Sequence, residues 1–357
     1  MRPAAGCLSP VLDSQALEQL RLAAANVPGL MDLAEAPFLF RPLVMVVLLG
    51  VVAGVIGVVV NLRSAEFTAE AMVHAVFPGI VAGAVYWGID AIIPAASVVA
   101  VAAALVLTIV SHRSRRGEAS EAGTAVVLTS FFSIGLILSL AKGDMSGQLE
   151  ALMFGRLLEV PDARLAQALI VCAVALLLIA ATWKEQVAYA FDRTGARASG
   201  LRILALDLVL NTAIAAAVVS ASTAVGILLV IGYLVIPGAT ARVLASRVRT
   251  MVVVAIAVGV GGGYLGMLLM ALPETSDKPI SPQATVALVM TGLLLLAVGV
   301  STARERLARI RHRARSAQPA TVAATSTTAG AETTADRTGG PEDSASAVAP
   351  AAERSRV

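Results

Sequence analysis

The run Leu43-Val44-Met45-Val46-Val47-Leu48-Leu49-Gly50-Val51-Val52-Ala53-Gly54-Val55-Ile56-Gly57-Val58-Val59-Val60-Asn61-Leu62 holds no charged residue in twenty positions. Twenty residues of α-helix rise about 30 Å, the thickness of a bilayer's hydrocarbon core. Eight further stretches read the same way: 71–88, 92–110, 123–141, 163–182, 203–220, 223–244, 251–272 and 283–300. The whole chain agrees, with 57% hydrophobic and 14% charged residues and a mean hydropathy of +0.83. A soluble domain carries roughly 25% charged residues. The sequence therefore predicts an all-α, polytopic integral membrane bundle of about nine transmembrane helices, with no room for a second globular domain.

Ala and Gly recur inside these spans, and small residues let helices approach closely in lipid, where hydrophobicity supplies no association force. The domain plan is an N-terminal segment at 1–41, a transmembrane domain at 42–301, a basic segment at 302–315 and a tail at 316–357. Residues 1–41 lack a basic stretch leading into an uninterrupted apolar run, so no cleavable signal peptide is expected; 12–25 reads as a short surface helix. The tail is Ala, Thr, Ser, Gly, Pro and acid, a composition that buries little and is expected to be disordered. Cys7 and Cys172 are far apart, and Cys172 lies in an apolar run, so both read as small hydrophobes. The net charge of +3 follows from where Arg sits. One basic loop holds Arg113, Arg115 and Arg116; another holds Lys184, Arg193, Arg197 and Arg202; a third holds Arg242, Arg247 and Arg249. The last runs from Arg304 to Arg315. Nine spans put all four on one side, which the positive-inside rule makes cytoplasmic, together with the C-terminus.

Ionisable residues within the spans are few. Glu70 and His74 stand four apart, on one face of a helix, where a carboxylate and an imidazole can converge on one divalent cation. The alternative is a carboxylate in interfacial water with His74 bonded to it. One Glu and one His make a poor cage for zinc, which takes four ligands in stable sites; a two-fold dimer could bring two such pairs together. Pro78-Gly79 follows on the same segment, and a break or kink is expected there. Asp207 and Asn211 read as helix-end or packing groups, and His112 and His312 as solvated. Segment 148–162 is too polar to span. In the stretch Tyr189-Ala190-Phe191-Asp192-Arg193-Thr194-Gly195-Ala196-Arg197-Ala198-Ser199-Gly200, Asp192 is placed to cap a short helix that Gly200 ends. Such a helix suits docking into a partner's groove; an ordinary interfacial helix is the alternative.

No Gly-rich loop ends in Gly-Lys-Ser/Thr, so the chain is not expected to cradle a nucleotide. Ser146-Gly147-Gln148 has the look of an ATPase signature but lies on the predicted outer side. The Asp-Pro-Gly-Asn motif of metal–proton symporters is missing, as are the several intramembrane His and Asp residues of other secondary zinc carriers. His-Glu-x-x-His and Gly-x-Ser-x-Gly are missing too, against an intramembrane enzyme.

Taken in order, these segments resemble the metal-type ABC permeases, the ZnuB-like membrane subunits of bacterial zinc, manganese and iron importers. The stretch from Phe67 to Gly79 is similar to the family's Gly-Asp-Ala-x-x-His-x-x-x-Pro-Gly, with Glu70 for its Asp and Ala69 for its Gly. Phe154-Gly155-Arg156-Leu157-Leu158 resembles its Leu-Phe-Gly-x-Leu-Leu. Phe191 to Gly200 resembles its Phe-Asp-Pro-x-x-Ala-x-x-x-Gly, with Arg193 for Pro. Val225 to Leu229 and Ile236-Pro237-Gly238-Ala239-Thr240-Ala241 resemble its Val-Gly-x-Leu-Leu and Pro-Ala-Ala-Thr-Ala. The matches run from about Pro37 to Val300. The resemblance implies a homodimeric permease in the bacterial cytoplasmic membrane. Its partners would be a separate ATP-binding cassette subunit, an extracytoplasmic metal-binding protein and surrounding lipid, and no nucleic acid. It would be a transport subunit and not an enzyme, with no permanent cofactor. Glu70 and His74 would be transient ligands on the metal pathway. Asp192, Arg193, Gly195, Ala196 and Gly200 would form the helix that couples to the ATPase, and Pro78, Gly79, Pro237 and Gly238 would be structural. Zn2+ is the ion expected first because imidazole suits it, with Mn2+, Fe2+ or a metal chelate as alternatives.

Overall fold

The computed structural model describes residues 18, 19, 21, 22, 37–88, 91–113, 117–141, 155, 162–271 and 281–316. Contacts divide the chain into two units, Met1–Arg304 and Glu305–Val357. Among the described residues of the first unit the regular structure is helical. The long helices are α1 (Pro37–Leu62), α2 (Glu66–Ala82), α3 (Ile92–Arg113), α4 (Gly117–Leu140) and α5 (Asp162–Ala181). Two short ones follow, α6 (Trp183–Phe191) and α7 (Arg193–Ala198). The chain continues through α8 (Ile203–Val225), α9 (Ile227–Leu244), α10 (Val248–Ala271) and α11 (Pro282–Ser316). In the second unit the described residues, 305–316, are helical, and 305–310 are exposed.

Eight of these helices are long and apolar enough to cross a membrane, and a ninth apolar helix, Leu229–Leu244, is shorter. The expected nine spans thus appear as eight full-length helices and one short one. The reason lies at Gly226, whose φ of +80° separates α8 from α9 and ends the first helix five residues later than expected. Elsewhere helices extend past the apolar runs into the flanking polar residues. The second span starts at Glu66, so Glu70 and His74 lie inside helix α2. Of the break or kink expected at Pro78-Gly79, the break is not found. α2 runs on to Ala82 and passes into a π-helical turn, Gly83–Trp87, a common way for a helix to absorb a local irregularity.

α1, α2 and α8 form the centre. α1 packs against α9, α10 and α5; α2 against α3 and α4; α8 against α3, α5 and α2. The apolar stretches of α1 and α2 are 72% and 67% buried, against 22% for α4 and 28% for α5, so the latter pair belongs to the periphery. Cys172 is free and buried on α5, as a small hydrophobe would be. Cys7, the segment 148–161 apart from Gly155 (and with it the motif residues 154 and 156–158), and the tail 317–357 lie outside the described residues.

Candidate functional site

Helix α2 displays the two intramembrane ligand types one turn apart. Glu70 is exposed and His74 is half-buried, about 6 Å and 12 Å along the axis from Glu66 at 1.5 Å per residue. His74 therefore lies inside the 22-residue span Glu66–Trp87, nearer the end where Arg63 stands. Its ring stands edge-on to Phe132 of α4, with centroids 5.4 Å apart at 84°, and Phe132 rests against Phe77 of α2 at 5.2 Å. This aromatic wall fixes one side of the imidazole. A carboxylate exposed on a span is costly against lipid, about 2.5–3.5 kcal/mol on insertion scales, so such groups face water, protein or an ion. Pro78 stands four residues after His74 and has no N–H, so it cannot donate to the His74 carbonyl. That leaves an oxygen acceptor one turn from Glu70. Among the described residues no three His, Cys, Asp or Glu side chains converge on a point where a metal could sit.

The other sequence motifs occupy helix contacts. Gly79 lies against α3, where a Cβ would stand 2.8 Å from Cα of Ala96. Gly238, after Pro237 on α9, faces Gly57 of α1, and a Cβ there would overlap the Gly57 carbonyl oxygen. The Asn61 side chain closes the same crossing, donating to the carbonyls of Gly57 at 3.1 Å and Val235 at 3.3 Å. Gly155, with φ of +77°, abuts Val225 and Gly226 so closely that a side chain would collide with their backbone. Two stretches seventy residues apart in sequence thereby meet.

The second candidate site is the short helix α7. Asp192 caps it as expected: its carboxylate accepts from the Thr194 N–H at 3.0 Å, the Thr194 hydroxyl at 2.7 Å and the Gly195 N–H at 2.9 Å. These bonds, the Gly195 N–H first, hold its pKa below the usual carboxylate range. Gly200 follows the helix with φ of +79°. Ala196 is buried with Tyr189, Ile203 and Leu206, while Arg193 and Gly200 are exposed and Gly195 is partly so.

A residue that sequence reasoning missed ties the preceding helix α6 to the bundle. Arg63, just after α1, forms an ion pair with Asp207 of α8, the two side chains being 9% and 14% exposed. It also donates to Oε1 of Gln186 at 2.7 Å and lies over the Tyr189 ring at 4.2 Å. Gln186, fully buried, donates to the Leu206 carbonyl at 2.9 Å. Burial pushes the Tyr189 phenol up, with the Asp207 charge adding to it. One guanidinium thus joins α1, α6 and α8. Asp207 was expected to be a packing group, and its partner stands 144 positions away, beyond any spacing argument. A lone cation directly after the span of highest mean hydropathy was the available signal. Asn211 packs as expected, donating to the Thr108 hydroxyl at 2.9 Å.

Comparison with known proteins agrees with the helical membrane fold. The model of the ABC 3 transport family matches residues 35–301. The manganese transport system membrane protein MntC of Listeria monocytogenes is 34% identical over 236 residues, 66% of this chain and 82% of that protein. The chelated iron transport system membrane protein YfeC of Yersinia pestis is 30% identical over 248 residues, 67% of this chain and 83% of that one. Among solved structures, PsaBC from Streptococcus pneumoniae in complex with Fab superposes with a TM-score of 0.64 at 25% identity, covering 75% of this chain and 94% of that chain.

Proposed function

The chain belongs to the ABC 3 transport family, and from that membership we propose that it is the membrane-spanning subunit of an ATP-driven importer for a divalent metal ion in a bacterial cytoplasmic membrane. It is a transport subunit: ATP is hydrolysed on a separate ATP-binding cassette chain, and an extracytoplasmic binding protein delivers the ion. The observation that carries the reading is Glu70, a carboxylate exposed on a central span with His74 on the next turn.

The ion crosses by alternating access. Glu70 and His74 hold it in passing, with the two-fold mate of the same pair completing the set in a homodimer. Weak, incomplete coordination favours release. The capped helix α7 seats on the ATPase, and the Arg63–Asp207 pair carries its displacement into α1 and α8. Relatives named for manganese and for chelated iron, with a carboxylate oxygen in the donor set, favour manganese as cargo. Hard oxygen ligands suit Mn2+, and imidazole is accepted by iron and zinc as well. Zinc, favoured by the imidazole alone, has no support from these relatives.

The test is uptake of manganese, iron and zinc by cells carrying the intact operon. His74→Ala and Glu70→Gln are compared with wild type at matched membrane levels. Each is expected to lower uptake of one ion roughly tenfold or more, since even outer-shell changes at metal sites cost about that much, while the complex with the ATPase still assembles. Normal uptake by both variants would leave the pair a structural role only.

A further inference from the structure

At the Arg-bearing end of the bundle lies a cavity of about 1500 Å3. It is walled by the ends of α1 and α3, the starts of α2 and α8, and helices α6 and α7. That volume exceeds the roughly 300–1,000 Å3 of ordinary small-ligand pockets. Its charge is one-sided. Arg63, Arg113, Arg193, Arg197 and Arg202 line it, and Asp207 is its only carboxylate. Arg63 is already neutralised by Asp207, and Arg193 leans on the Tyr189 ring, 5.5 Å from its centroid. Arg113, Arg197 and Arg202 remain, exposed, with no carboxylate partner among the described residues.

Such a cluster repels a divalent cation, so the cavity is unsuited to be the ion's own route. It calls for an anion. The lining also carries apolar side chains that face outward: Phe191 is 72% exposed and Leu204 43%, with Leu62 and Leu201 beside them. Guanidinium groups over exposed hydrocarbon, at the end where apolar spans meet water, match a ligand with a phosphate at one end and acyl chains at the other. Basic pockets between transmembrane helices on the cytoplasmic side take anionic headgroups, and planar guanidinium groups pair with phosphate in two-bonded geometry.

We propose that this cavity binds the headgroup phosphate of an anionic phospholipid through Arg113, Arg197 and Arg202, with its acyl chains against Phe191 and Leu204. Arg197 belongs to α7, so the lipid pins the proposed coupling helix to the ends of α3 and α8. The lipid site stands independently of which ion is carried.

The experiment uses the intact complex with its ATPase, stripped of lipid in detergent and examined by native mass spectrometry after adding defined lipids. Phosphatidylglycerol and cardiolipin are expected to stay bound where phosphatidylcholine does not. Arg113→Ala/Arg202→Ala should weaken that retention roughly thirtyfold, at about 1 kcal/mol per arginine, and Arg113→Lys/Arg202→Lys should keep most of it. In wild type, a photoactivatable phosphatidylglycerol should label peptides containing Arg113 and Phe191–Leu204, a readout that needs no variant. Equal retention by the alanine variant and wild type, or labelling elsewhere, overturns the proposal. Displacement of the lipid by millimolar inorganic phosphate or ATP makes the cavity a free-anion pocket and overturns it. Loss of the ATPase from the alanine variant with lipid retention unchanged assigns the arginines to an acidic protein surface, which also overturns it.

Discussion

Glu70 is one methylene longer than the Asp of the motif that its stretch resembles. Shortening it draws the carboxylate back toward the α2 backbone without changing its charge, so Glu70→Asp is expected to keep uptake while changing the ratio of manganese to zinc carried. Glu70→Gln loses both, and competition uptake with the two ions separates the cases. Asp192 offers a second residue-level test. Asn caps a helix as well as Asp does, and Ala does not. Asp192→Asn should therefore transport nearly as wild type and Asp192→Ala poorly, measured in reconstituted vesicles with the ATPase present. The folded-state pKa of Asp192 is depressed, so its cap is fully formed above the ordinary carboxylate range and is lost only as pH falls through the depressed value. Transport between roughly pH 5 and pH 8 should show no step from this group. The helix shared by Glu70 and His74 and the cap at Asp192 were legible in the sequence because each is local: an i, i+4 pair, and a carboxylate opening a short helix that Gly200 ends. Arg63 was not legible, because the identity of its partner is decided by folding.

Among elements, the joint of α1, α6 and α8 is the more informative. Removing one member of a buried ion pair leaves the other charge stranded, typically at about 3–5 kcal/mol. Asp207→Asn should lower the melting temperature of the purified complex. It should also reduce ion transported per ATP hydrolysed, because α7 would move without dragging α1 and α8. If hydrolysis and transport fall in proportion, the pair is a stabiliser alone. The crossing of α1 and α9 makes a different demand. Gly57 and Gly238 meet backbone to backbone, so Gly238→Val forces the helices apart and should abolish stable insertion, read as loss of the protein from the membrane fraction. Span positions were readable from uncharged runs, since length and hydropathy alone determine them. The continuity of α2 through Pro78 was not. A proline removes one hydrogen bond, and whether the helix breaks or yields downstream depends on neighbours such as Ala96 and Gly135.

For the whole molecule, the positive-inside rule applied to the Arg-bearing loops predicts a cytoplasmic α7 end and a cytoplasmic C-terminus. A C-terminal epitope should be reached by antibody only after permeabilisation, and labelling of intact cells would reverse the topology. The handedness of the bundle and the neighbours of each span were beyond the sequence, because apolar runs of similar composition are interchangeable until small residues such as Gly50, Gly54 and Gly57 select their partners. The exposed carboxylate of Glu70 has a genetic consequence. If the conduction path needs that residue from two chains, a defective copy poisons the normal one it pairs with. Co-expressing Glu70→Gln with wild type in equal amounts would then leave only about a quarter of random two-fold pairs intact. Growth under metal starvation would fall below the half expected from dilution, making the allele dominant-negative and not recessive.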